Sequence, residues 1–300
     1  MAVFLGVPLV IYLVFVISPF VQAFYYSLTD WSGFSPKSNF VGLENYRRIF
    51  SDDIFMKALG NNLLLLLVLP IVTIVLSLVF ATLVTVGGSS KGQVKGLKGS
   101  SFYRVVSFFP YTIPAIAIGI MWGQIYDPSG GLLNGILTSL GMGGFKDFAW
   151  LGNPETAMGA SMFVIVWGFV GFYMVLFIAG IKGIPAELFE AARIDGAGRF
   201  RTAVSITIPM IRDNIQTAYI YMGILALDAF VYMAALFPNA GGPDNTTLVM
   251  AQQLFFTAFN KGQFGLATAM GVVLAIATLI FSAIVFLVNR LTGGTEDVSS

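Results

Sequence analysis

Long apolar runs separated by short polar stretches dominate the chain. Six of them reach the roughly 20 residues that a helix needs to cross the hydrocarbon of a bilayer. They lie near 2–28, 61–87, 102–126, 157–181, 214–237 and 264–290. Each is predicted to be one spanning helix, which makes the chain an all-α membrane protein that passes the bilayer several times. The first run holds Pro8 and Pro19, outlasts the apolar region of a signal peptide and follows no basic segment, so it is read as a span and not as a cleaved leader. No period of 20 to 50 residues repeats, and neither an inverted repeat nor a broken helix stands out. The expected organisation is a single transmembrane domain over 1–292 and a polar tail over 293–300.

The polar stretches set the orientation, because short cytoplasmic loops carry an excess of Lys and Arg. The second loop has Lys91, Lys95, Lys98 and Arg104 with no acid, and the fourth has Lys182, Arg193, Arg199, Arg201 and Arg212. Both are assigned to the cytoplasm. The third loop sets Lys146 against Asp127, Asp147 and Glu155, and the fifth has one Lys and one Asp, so both are assigned outside. The first loop balances Lys37, Arg47, Arg48 and Lys57 with four acids and is external only by alternation. Both termini are then cytoplasmic.

Composition removes most other roles. Apolar residues make up 57% of the chain and charged ones 10%, well below the roughly 25% of a soluble domain, so lipid is the main solvent. A net charge of +1 gives no single-sign field for nucleic acid. Without Cys or His there is no disulfide, thiolate nucleophile, imidazole base or Cys/His metal site, and neither catalytic nor metal-binding residues are expected. The stretch 87–100 is rich in Gly and Lys but contains no Gly-Lys dipeptide, so it is not a nucleotide-binding P-loop and is read as a flexible basic loop.

The fourth loop, 183–212, is the most informative. Pro185 suits a helix start, Glu187 and Glu190 sit where the positive end of the helix dipole favours acids, and Gly196 can adopt the left-handed conformation that ends a helix. A helix of about three turns is predicted, then a second from about Arg199 to Pro209. Leu188, Ala191, Ala192 and Ile194 would give the first helix a small-residue face that another surface can approach closely.

Glu190-Ala191-Ala192, three residues, Gly196, nine residues and Ile206-Thr207-Ile208-Pro209 resemble the EAA loop of membrane subunits of bacterial ABC importers, with Ile208 where Leu is usual. Phe40-Val41-Gly42-Leu43-Glu44-Asn45-Tyr46, Phe109-Pro110 and Gly241-Gly242-Pro243-Asp244-Asn245-Thr246-Thr247 resemble the carbohydrate-uptake branch, the permease of the MalF or UgpA type. The resemblance implies the type I importer permease fold in a bacterial cell membrane. It further implies a second permease subunit, two ATPase subunits that use ATP and Mg, and an external solute-binding protein or lipoprotein. No cofactor would be bound by this chain. Contact with the ATPase would run through Glu190, Ala191, Ala192, Asp195, Gly196, Ile206 and Pro209.

A solute path is sought from a polar residue in an apolar place. Asp228 lies near the middle of the fifth run, where a charge costs about 2.5 to 3.5 kcal/mol, so it should face a cavity or a partner. At 100° per residue Tyr221, Asp228 and Tyr232 share one helix face, and in the fourth run Trp167, Gly171 and Met174 share another, with Gly171 leaving room beside the indole. Aromatic rings and a carboxylate suit a neutral sugar. Aromatic stripes also serve packing, and Asp228 could instead bond a neighbouring helix or carry protons. A phosphate would need a basic group, and no span has Lys or Arg at its middle. The expected function is ATP-driven sugar or oligosaccharide import. The alternatives are import of glycerol phosphate esters or polyols, or a stand-alone secondary transporter.

Overall fold

A computed structural model describes residues 2–35, 37–86, 99–239 and 241–291. Most of the predicted basic loop, with Lys91, Lys95 and Lys98, and the polar tail 293–300 lie outside them. Four of the six apolar runs form helices long enough to span, and the other two form bent helix pairs, which gives six spans when each pair is counted as one.

The first span, Phe4–Tyr26, and the sixth, Phe264–Leu291, match the apolar pattern closely. The fourth, Ala157–Lys182, does so within a residue. The second, Asp53–Val86, starts eight residues before the apolar run. Its first two turns carry Asp53 and Lys57, which interrupt the apolar run there, and Asp53 suits the helix N-terminus.

The expectation of unbroken helices is corrected at two places. The third span is Ser100–Phe108, a tight 3₁₀ turn at Phe109–Thr112, and Ala115–Ile125, bent by 99°. The cause is local: Pro110 and Pro114 lack amide donors, and Ile113 is extended, as a residue before proline prefers. The fifth span is Arg212–Asp228 and Phe230–Leu236, bent by 47° at Ala229, whose φ of 38° is left-handed. No proline or glycine stands there, so this break has a tertiary cause. Elsewhere proline is absorbed without a sharp bend. Ser18, before Pro19, donates to Leu13 five residues back, and Ile208, before Pro209, donates to Ala203 in the same way. Each widened turn accommodates the missing amide.

The core lies between the second, fourth and fifth spans, where Leu65, Leu69, Ile165, Met174, Phe177 and Met222 are fully enclosed. The lower half of the third span crosses the fourth so closely that a Cβ at Gly171 would run into the Ser107 carbonyl. Beside the start of the second span a second cluster joins Ile49, Phe55, Leu248, Met250 and Met270. There the buried Asn45 donates to the Ser27 and Thr29 carbonyls at 2.9 and 2.8 Å, fixing the first loop. None of the apolar window of the first span is buried.

Candidate functional site

Both broken spans open on one cavity of about 540 Å³. The third span supplies Tyr111, Thr112 and Pro114, the fourth Phe169, and the fifth Tyr221, Asp228 and Tyr232. Irregular backbone at membrane depth is tolerated where it lines a cavity, so the coincidence of two breaks marks this space as built. Asp228 ends its helix half, is exposed, and its carboxylate makes no hydrogen bond to any described residue. Tyr221 is 65% exposed, whereas Tyr232 is 6% exposed and held near Gly168. Tyr111 stacks on Phe172 at 4.4 Å between ring centres. The wall offers aromatic faces, hydroxyls and one carboxylate, with no Lys or Arg among its residues.

Tyr221, Asp228 and Tyr232 therefore meet on one cavity, though not as one face of a continuous helix, because the break at Ala229 separates Tyr232 from the other two. Trp167 and Gly171 do not line it. Trp167 packs edge-on against Trp122 at 5.5 Å, and Gly171 leaves no room beside the indole because the backbone of the third span fills that space. Met174 is buried in the core. Helical spacing named their face correctly but could not say which neighbour covers it. Tyr111 was missed, and its signal was the pair Pro110 and Pro114, four residues apart in an apolar run. A larger cavity of about 720 Å³ lies between the first and sixth spans. Its one polar lining side chain, Thr268, donates to carbonyls of its own helix, so it offers a polar solute nothing.

The fourth loop forms a separate surface. Its first helix is Ala186–Ile194, with Pro185 just before it rather than at its first position. Gly196, at φ 73°, closes it with paired bonds: Ala197 donates to Ala192 at 2.8 Å and Gly196 to Arg193 at 3.0 Å. The second helix starts at Arg199 as expected but runs through a widened turn to Met210, one residue beyond Pro209. Ile184, Phe189 and Ala192 are buried against the body. Ala192 thus belongs to the inward face, not to the outer small-residue face proposed for it. Glu190, Ala191, Asp195 and Pro209 are exposed and Ile206 packs partly against the core. Ile194 and Phe200 are 86% and 82% exposed, an apolar pair that sequence spacing only half identified.

Residues 84–293 match the family of binding-protein-dependent transport system inner membrane components. The chain belongs to that family. It is a transport permease component and not an enzyme. It is 63% identical over 296 residues to the diacetylchitobiose uptake system permease NgcF of Streptomyces coelicolor, which covers 99% of this chain and 84% of that one. The multiple sugar-binding transport system permease MsmF of Streptococcus mutans is 33% identical, over 94% of this chain and 92% of the relative. The resemblance to carbohydrate importer permeases read from the sequence motifs is thereby confirmed. Among solved structures, a bacterial ABC transporter involved in import of the acidic polysaccharide alginate superposes with a TM-score of 0.81 at 20% identity, covering 97% of this chain and 95% of that one, which shows the fold.

Proposed function

We propose that this chain is one of two membrane subunits of an ATP-driven importer for an uncharged sugar, with a diacetylchitobiose-type disaccharide as the first candidate. The carrying observation is the cavity at the two breaks, which presents stacking rings and one carboxylate without a cation. The substrate named for the relative at 63% identity agrees with that chemistry. Each sugar–ring stack supplies about 0.5 to 1.5 kcal/mol and each hydrogen bond a similar amount, which is weak enough to release a solute in transit. Selectivity would then reside mainly in an external solute-binding protein.

The loop 183–212 is the coupling element, supported by its exposed Glu190, Ile194, Asp195 and Phe200 beside an inward face that ties it to the spans. It faces the cytoplasm with both termini, as its four Arg residues and the adjoining Lys182 indicate. There it docks on an ATPase subunit, which binds ATP and Mg. The chain is read as one transmembrane domain over 1–292. The broken spans would suit a secondary transporter too, yet family membership favours the importer. A glycerol phosphate ester lacks the basic partner it would need in this cavity.

The test is uptake of labelled diacetylchitobiose into proteoliposomes holding this chain, its partner permease, the ATPase subunits and the binding protein. Flux should require ATP and every component. Flux by this chain alone, or uptake of glycerol phosphate in place of the sugar, would overturn the proposal.

A further inference from the structure

The fifth span breaks at Ala229 without proline or glycine, and the left-handed conformation there costs an L-residue roughly 1 to 2 kcal/mol. In an unbroken helix the Ala226 and Leu227 carbonyls would accept from the amides of residues 230 and 231. Both carbonyls lie in the protein interior, where an unmatched acceptor is costly. Their partner comes from another span. Asn62, fully buried in the second span, donates through Nδ2 to Ala226 at 3.0 Å and to Leu227 at 2.7 Å. Its Oδ1 accepts from the Met250 amide at 2.8 Å, which opens the short helix Met250–Phe255 before the sixth span. All of the hydrogen-bonding capacity that this amide directs at main chain is spent on the break and its support.

One position before it, Asn61 donates to Asn245 and Leu248 at 3.1 and 2.8 Å, and one turn further out Lys57 donates to Asp244. The second span therefore carries a polar row whose outer members hold the loop between the fifth and sixth spans and whose innermost member holds the break. Asp228 and Tyr232, on the two sides of Ala229, are aimed into the cavity by that break.

We infer that Asn62 is a positioning residue for the solute path: it fixes the left-handed turn at Ala229 and so places Asp228 and Tyr232 on the cavity wall. This rests on the proposal that the cavity is the sugar path. Asn62 touches no solute.

The experiment uses the reconstituted complex and labelled diacetylchitobiose. Asn62→Leu keeps the volume and removes every donor, and should lower ATP-dependent uptake by roughly tenfold to a hundredfold, the scale of a misplaced site. Adding Ala229→Gly, which adopts the left-handed turn without strain, should restore uptake by roughly threefold. Asn61→Leu, which loosens only the outer loop, should gain nothing from Ala229→Gly. If Asn62→Leu does not assemble, the comparison is made with Asn62→Ser, whose hydroxyl reaches at most one of the two carbonyls. Uptake equal to the parent's in an Asn62 variant, or a loss that Ala229→Gly leaves unchanged, overturns the inference and makes Asn62 a general packing residue. The same rescue, read on thermal stability of the detergent-solubilised complex, tests Asn62 even where the cavity is not the sugar path. Asp228→Asn uptake tests the cavity alone.

Discussion

The fourth loop and the cavity are built in opposite ways. The loop draws its structure from one stretch of chain: Pro185 starts the first helix, Gly196 ends it, and the closing bonds run between residues three and five apart. The cavity draws on residues from Tyr111 to Tyr232, which meet only after three spans have packed. One of its two breaks is written locally in Pro110 and Pro114, while the other depends on Asn62, more than 160 residues away. A surface made by short-range rules can be found as a motif. A site made by long-range packing shows in the sequence only as isolated odd residues.

That contrast can be broken at several points. The largest effect is expected at Gly171. A side chain there meets the Ser107 carbonyl, so Gly171→Val should separate the third and fourth spans, with loss of assembly seen as failure to copurify with the partner subunits. Trp167→Ala should chiefly lower thermal stability, because the indole packs on Trp122 and not on the cavity. Intact assembly and stability in both variants would return these residues to the solute path.

In the loop, Gly196→Val forces a β-branched residue to φ 73° and should misplace the second helix, and Glu190→Lys should remove the charge-assisted contact proposed for it, worth about 1.5 to 3 kcal/mol. Coupled ATPase activity should fall strongly while the spans remain folded by circular dichroism. Parent-level coupling in both would show that another surface carries the ATPase contact. Phe200→Ser, at an 82% exposed position, should weaken the same contact more mildly and leave the isolated chain as stable as the parent.

Asp228→Asn keeps the shape and deletes the charge. Uptake should drop roughly threefold to tenfold, as for loss of one charged hydrogen bond, without new dependence on external pH. A parent pH dependence abolished by this variant would instead assign Asp228 to proton transfer.

The smallest effect concerns the loops that hold Asp30 and Asp127. The Ser129 hydroxyl and the Ser129 and Gly130 amides hold the Asp127 carboxyl below its usual range, and the Asn39 side chain and amide do the same for Asp30. For a lowered carboxylate the folded form releases its proton first. The stabilisation is thus complete above the ordinary carboxylate range and lost as pH falls through the lowered value. Stability of these loops, followed by limited proteolysis, should be flat from about pH 5 to 8 and decline only in stronger acid. A transition near neutral pH would point to a different group.

Some of the site was legible and some was not, for reasons that individual residues make clear. Asp228 stood out because a carboxylate in an apolar run is costly wherever it lies. Tyr221 and Tyr232 followed from helical spacing, yet they reach the cavity along two helix halves instead of one. The same spacing misled at Gly171, where a missing side chain marks close backbone contact and not free volume. Ala192 turned inward because Phe189, one turn before it, anchors that face. Asn62 attracted no attention at the polar edge of an apolar run, since nothing nearby in sequence reveals that two carbonyls await its amide.

By itself, the sequence determined the membrane environment, the six apolar runs and the ends of the first helix of the fourth loop. Each of these follows from solvent transfer or from bonds between residues a few positions apart. Only the tertiary structure decided where the fifth span bends, what covers Gly171 and which side chains share the cavity. Those depend on which main-chain donors and acceptors are left unmatched after the spans pack, and a group buried in that way takes whatever partner the neighbouring span presents.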